Sequence, residues 1–173
     1  KSFFKFLNKK YLKIFNLKSP FIEKAIYQSC KIKKNIVEKD ENEKRTRKIL
    51  NFGHTFGHAF EASLGYSKKL NHGEAVILGI SLALKFSHIN KLLNSNDYQS
   101  ITKHIKNSKL PNDIKKYFSL KDLNSILSFM TKDKKNTSSK INLILLKKIG
   151  STMIDKSYNK NILKDFIKKE LTN

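Results

Sequence analysis

The sequence predicts a mainly α-helical domain: a multi-helix, bundle-like arrangement followed by a small two-stranded β-hairpin near residues 140–155. Three observations predict it. Apolar residues recur at helical spacing through most of the first 131 positions, with Pro and Gly at the breaks between periodic stretches. Ala75 to Phe86 is apolar on almost every side, as expected of a buried helix. Lys140 to Ile149 (KINLILLKKI) has a strand-like core instead, and Gly150 permits a turn into a second short strand near Thr152 to Ile154.

Residues 1–17 alternate Lys with Phe, Leu and Ile and read as an amphipathic helix. Ser19-Pro20 supplies an N-cap and a proline at the first helical position of a second helix running to about Val37. The apolar stripe of that helix is Ile22, Ile26, Cys30 and Val37, with Lys33 inside it. An inward lysine either snorkels to a domain edge or reaches an anionic ligand. Asp40-Glu41-Asn42-Glu43 breaks the pattern, and a central helix follows. There Arg47, Asn51, His54, His58 and Glu61 share one face, and Ile49, Phe52, Phe56, Phe60 and Leu64 the other. Gly53 and Gly57 inside a helix each cost about 1 kcal/mol relative to Ala, which points to a close approach by a packed helix or a ligand. Gly65 ends the helix. Glu74 to about Leu93 forms the buried helix, with His72 and Glu74 at its N-terminus. Shorter helices are expected at about 96–108, 112–118 and 120–131, with Leu110-Pro111 as a break and Ser119 as a cap. Asn136 to Ser139 reads as a loop, and Asn161 to Leu171 as a terminal helix.

With 173 residues, 39% of them hydrophobic, the chain can bury one core, so a single domain over 1–173 is expected. It opens on Lys1 within a helical pattern and is read as part of something longer. The apolar run 75–86 is too short to span a bilayer. The one cysteine, Cys30, fits a reducing cytoplasm. A net charge of +22 raises nucleic acid as a partner. Yet the 36 basic residues include only Arg45 and Arg47 as arginines, and Lys, Asn and Ile are abundant throughout rather than gathered in a patch. Phosphate and base readers lean on the arginine fork, so this pattern reads as AT-rich codon drift.

Two histidines one helical turn apart and a third beyond a turn are spaced as metal ligands can be, or they are satisfied core histidines. Arg47, Asn51 and Lys33 are donors suited to phosphate or carboxylate, whereas imidazoles suit zinc and proton transfer. A metal beside an anion-binding face describes an active site more readily than a structural zinc knot. Glu61 is either a ligand or the partner that orients a histidine. No GxGxxG, P-loop, nucleophile elbow or CxxC occurs, so no motif of this chain binds a dinucleotide.

The stretches LNFGHTFGHAFE and HGEAVILGI, together with Ser29-Cys30-Lys31-Ile32-Lys33, Asp40-Glu41, Arg47, Leu110-Pro111, Asp133-Lys134-Lys135 and KINLILLKKIG, resemble the C-terminal domain of the 3-dehydroquinate synthase family. The resemblance implies a carbon–oxygen lyase of the shikimate pathway that uses NAD and Zn2+ (or Co2+) and acts as a cytoplasmic homodimer. It implies that His54 and His72 are two of three zinc ligands, the third being an upstream glutamate that this chain lacks and Glu61 does not replace. His58 would assist proton transfer and contact substrate. Lys33, Arg47, Asn51 and Lys134, or its neighbour Lys135, would bind substrate, and Glu43 would support them. An N-terminal domain would supply NAD. The implied reaction oxidises a hydroxyl of 3-deoxy-D-arabino-heptulosonate 7-phosphate, eliminates phosphate, returns the hydride and closes the ring to 3-dehydroquinate. Other sugar phosphate cyclases and zinc polyol dehydrogenases are the enzymatic alternatives; a basic helical nucleic-acid module is the non-enzymatic one.

Overall fold

The buried side chains of the central GHTFGHAFE stretch decide the packing. Phe56 and Phe60 are fully enclosed, and burying side chains of this size contributes about 1.5–3 kcal/mol each. The computed structural model describes residues 1–132 and 139–172, in the order α1 (Ser2–Phe15), α2 (Phe21–Lys39), α3 (His54–Ser63), α4 (His72–Ile89), α5 (Ser95–Asn107), α6 (Leu123–Lys132), β1 (Lys140–Lys148), β2 (Ser151–Asn159) and α7 (Lys160–Thr172). Lys134 and Lys135, and the loop expected from Asn136, lie outside the described residues up to Ser138. The mainly helical class with one hairpin holds. The principal core joins Phe56 and Phe60 of α3, Leu78 and Phe86 of α4, Ile126 of α6, Leu145 of β1 and Ile167 of α7. A smaller cluster of Leu84, Leu93, Ile105 and Leu146 lies under α5.

The close approach signalled by the central glycines is made by a helix. Gly53 lies against Gly79 and Ile80, and Gly57 against Ala75 and Val76, so α3 and α4 cross in opposite directions with their backbones nearly touching. This crossing also corrects the expected continuous central helix. Residues Thr46–Asn51 form a 3-10 helix, Gly53 turns left-handed at φ +82°, and α3 starts afresh at His54. A side chain at position 53 would strike Ile80, so the chain bends at the one residue that lacks one. At the other end Gly65 N–H bonds Ala62 O and Tyr66 N–H bonds Glu61 O at 2.8 Å. That paired pattern closes α3 as expected.

Other boundaries move for local reasons. Pro20, not Ser19, occupies the cap position of α2, without a side-chain bond. Only Ala25 of α2 is buried; Ile26 is 57% exposed, and Cys30 and Lys33 are also exposed. Of the expected inward stripe, Ile26 and Cys30, and Lys33 with them, therefore face outward, whereas Ile22 and Val37 are half-buried. Asn71 caps α4, its N–H donating to Glu74 Oε2 at 2.9 Å, and the helix ends four residues before Leu93 because Lys91 turns left-handed. The helix expected at 112–118 shrinks to one 3-10 turn, Ile114–Lys116, capped by Asp113. Ser119 does cap the next segment: its N–H and hydroxyl both bond Asp122. That segment begins with the 3-10 turn Leu120–Asp122 and only then becomes α6. The second strand is three times the expected length, because nine residues from Ser151 to Asn159 pair antiparallel with β1. The hairpin is tied to α4 by Ser87, whose hydroxyl accepts from Leu146 N–H at 3.1 Å and donates to Ala83 O at 2.7 Å.

α1 docks partly through His104 of α5, whose ring meets Phe4 and Tyr11 edge-on at 5.6 and 6.2 Å. Its Nδ1 is buried with no hydrogen-bond partner among the described residues, and burial pushes its pKa below the ordinary 6.5. The unfolded chain then binds the His104 proton more readily than the folded one, so stability falls as pH drops through about 6.5. Denaturant titrations at about pH 7.5 and 5.5 should show this loss, and His104→Phe, which keeps the ring packing, should reduce it. Equal losses in both proteins would remove His104 from the account.

Candidate active site

Asp40 fixes the approach to the site. Its carboxylate accepts the backbone N–H groups of Lys44, Arg45 and Arg47 at 2.9, 2.7 and 2.9 Å. These bonds, that of Arg47 foremost, hold the carboxyl below its ordinary pKa. The clasp therefore stays intact through the usual carboxyl range and loosens only as pH falls below it. Within the loop it closes, Arg47 Nη1 donates to Glu41 O at 2.6 Å, and the Asn51 amide donates to the Glu43 carboxylate.

The bend at Gly53 sets His54 as the first residue of α3 and His58 one turn on, while Asn71 sets His72 as the first residue of α4. Because α3 and α4 run in opposite directions, the three rings converge. Their centroids lie 5.3 Å (54–58), 5.9 Å (54–72) and 6.0 Å (58–72) apart. His54 Nδ1 lies 3.4 Å from Phe52 O and His72 Nδ1 3.0 Å from Glu61 Oε2. In both rings a proton on Nδ1 satisfies that contact and leaves the Nε2 lone pair free, as metal ligation requires. Burial first, then the neighbouring imidazoles, push the His54 pKa down, which keeps the ring neutral.

One ligand atom from each of His58, Glu61 and His72 also lies within 4.8 Å of the others. His54 is not in that trio. Glu61 is engaged with His72, and its position fits the orienting role as well as a ligating one. The donor set, imidazoles plus a carboxylate, suits zinc or cobalt.

Beside the rings lies a cavity of about 410 Å³ lined by Asn51, His54 and His58 on one side and by Lys48, Asn142 and Asp155 among others. Thr55 Oγ1 donates to Asn142 O at 3.3 Å, binding α3 to the cavity wall made by the hairpin. Of the other residues expected at the site, His72 supplies the third ring without lining the cavity, Arg47 is on the 3-10 segment that carries Asn51, and Lys33 is exposed on α2 without lining the cavity. Lys134 lies outside the described residues. Lys48, Asn142 and Asp155 escaped sequence reasoning. The two from the hairpin reach the site only through tertiary pairing, and Lys48 is one lysine among many.

The family model described as "3-dehydroquinate synthase C-terminal" matches residues 1–136. The 3-dehydroquinate synthase of Pelagibacter ubique is 59% identical over 172 residues, covering 99% of this chain and 47% of the relative. That of Bradyrhizobium diazoefficiens is 37% identical over 175 residues, covering 98% and 46%. The chain thus spans about half the length of the curated relatives it matches. Among solved structures, a 2-deoxy-scyllo-inosose synthase complexed with carbaglucose-6-phosphate, NAD+ and Co2+ superposes with TM-score 0.65 at 25% identity, covering 86% of this chain and 40% of that one. A 2-epi-5-epi-valiolone synthase from Streptomyces hygroscopicus with NAD+ and Zn2+ bound shares the fold at TM-score 0.80 and 14% identity, covering 98% and 46%.

Proposed function

The chain belongs to the 3-dehydroquinate synthase C-terminal family, and from that premise we propose that it is the metal- and substrate-binding domain of a two-domain 3-dehydroquinate synthase. The observation that carries the reading is the convergence of three imidazoles, two with Nδ1 engaged and Nε2 free, at the mouth of a cavity edged with cationic and amide donors. No helix among the described residues is long and apolar enough to cross a membrane.

In this reading His54 and His72 would hold a divalent metal, each with Nε2 left available, and Glu61 orients His72. When bound, the metal places positive charge beside a substrate oxygen, and NAD, to which no residue of this chain is assigned, supplies a reversible hydride acceptor. His58 stands on the cavity wall without a role in holding the metal, free to take and return a proton at an imidazole nitrogen. Asn51, steadied by Glu43, offers its remaining amide groups to substrate hydroxyls. Arg47, Lys33 and Lys134 supply cationic charge for carboxylate and phosphate.

The test is to supply the full-length protein with 3-deoxy-D-arabino-heptulosonate 7-phosphate, NAD and zinc and to follow phosphate release and 3-dehydroquinate formation. Turnover of a different sugar phosphate with none of this one would favour another cyclase, the reading to which the likeness to 2-deoxy-scyllo-inosose synthase lends support. Glu61→Gln tests the support of the metal. Loss of the carboxylate charge behind His72 should weaken zinc binding by about 10-fold or more, read by competition with a chromophoric chelator. Unchanged affinity would remove Glu61 from the site.

A further inference from the structure

Lys48 and Asp155 have no part in the assignments above, yet both line the cavity that holds Asn51, His54 and His58. Lys48 Nζ donates to both carboxylate oxygens of Asp155 at 2.9 Å, across 107 residues of sequence. The lysine side chain is 22% exposed and the aspartate 59%. The lysine side chain is therefore the more enclosed partner, laid along the wall of the cavity.

The placement of Asp155 is built into the hairpin. Leu143 pairs with Lys156 and Leu145 with Met153, so Ile154 and Asp155 together oppose Ile144 alone. Asp155 takes up the extra length in a left-handed conformation, φ +56°. A bulge of this kind re-aims a side chain, and Asp is among the few residues that tolerate the geometry. A half-exposed lysine–aspartate pair contributes little to stability, so a bulge kept for stability alone has a weak rationale. Holding an ammonium in place beside the imidazoles is a stronger one. A lysine ammonium is a compact point charge on a flexible stem, suited to meeting an oxyanion without fixed geometry.

We propose that Lys48 is a further substrate-binding residue whose ammonium takes an anionic group of the substrate, and that Asp155 is its positioning residue. The inference rests on the reading of this cavity as the sugar phosphate site. The substrate carries two anions, a phosphate and a carboxylate, and the chemistry Lys48 offers serves either.

The test uses the full-length protein with Lys48→Met, Lys48→Arg and Asp155→Asn. Lys48→Met should raise KM for the sugar phosphate about tenfold with kcat within about twofold, the pattern of lost uniform binding. Asp155→Asn should raise KM by a smaller factor, about two to three, and Lys48→Arg should recover most of the loss. A parallel rise in the inhibition constant of inorganic phosphate assigns Lys48 to the phosphate; an unchanged constant alongside the raised KM assigns it to the carboxylate. An unchanged KM in Lys48→Met, with equal falls in Tm for Lys48→Met and Asp155→Asn, overturns the proposal and leaves the pair as a strut. If the unsubstituted protein turns over no sugar phosphate, the functional reading fails by itself. Lys48 is then judged on direct binding of inorganic phosphate and of a simple carboxylate such as pyruvate, where equal Kd values for both anions in Lys48→Met overturn its role.

Discussion

On the proposed function, His54→Ala should strip zinc from the full-length protein and abolish turnover. Weakening an outer partner of a metal ligand costs about 10–100-fold in affinity, so removing a ligand should cost more, and dialysed protein should retain no metal. The companion variant His58→Ala should keep its zinc and lose only turnover, by about 10²–10⁴-fold if its imidazole carries a proton. The contrast matters because geometry alone offers two ligand sets. His58, Glu61 and His72 already bring ligand atoms within 4.8 Å, whereas His54 stands outside that trio. His54 is preferred for a physical reason: burial and its neighbours keep it neutral, and its Nδ1 is directed at Phe52 O. Metal analysis decides between them. Undiminished zinc in His54→Ala, with zinc lost in His58→Ala, would exchange the two roles.

The sequence made the imidazole face legible because the spacing of His54 and His58 survives any helix that starts at or before residue 54. It did not show the bend at Phe52–Gly53. Periodicity counts positions, and the bend arises from a contact with Ile80 nearly 30 residues away. Arg47 and Asn51 therefore reach the site from a 3-10 segment clasped by Asp40, not from the upstream turns of one helix. Gly65 and Ser119 were readable because each acts within a few residues. The hairpin was readable as well, but the full length of its second strand was not. Ser151 to Asn159 is polar, its burial does not alternate, and its length is set by pairing with β1. The outward face of α2 misled for a related reason: an apolar stripe reports that a helix has something to cover it, not which part of a protein supplies the cover.

Gly79→Ala should destabilise the domain and weaken its metal site together. Helix propensity alone favours the substitution by about 1 kcal/mol, since Gly79 lies mid-helix in α4. Sterics oppose it. A Cβ at position 79 would lie on the Gly53 carbonyl oxygen and 2.8 Å from the Gly57 nitrogen, and those two atoms are themselves hydrogen-bonded at 2.9 Å. Backbone atoms of a buried turn cannot swing aside as a side chain can, so α3 must lift off α4. Overpacking of this kind costs about 1–3 kcal/mol or more; with no slack on either side the upper part of that range applies, and it outweighs propensity. A net loss of about 2 kcal/mol lowers Tm by roughly 4–8 °C for a chain of this size. The same displacement separates His54, next to Gly53, from His72 at the start of α4, so zinc affinity should fall even well below the melting temperature. Gly73→Ala is the control: it lies in the first turn of the same helix, where an added Cβ meets nothing within 4 Å, and should melt at or slightly above the unsubstituted protein. If Gly79→Ala melts no lower than Gly73→Ala and holds zinc equally well, the helix crossing is not what sets the distance between the two imidazoles.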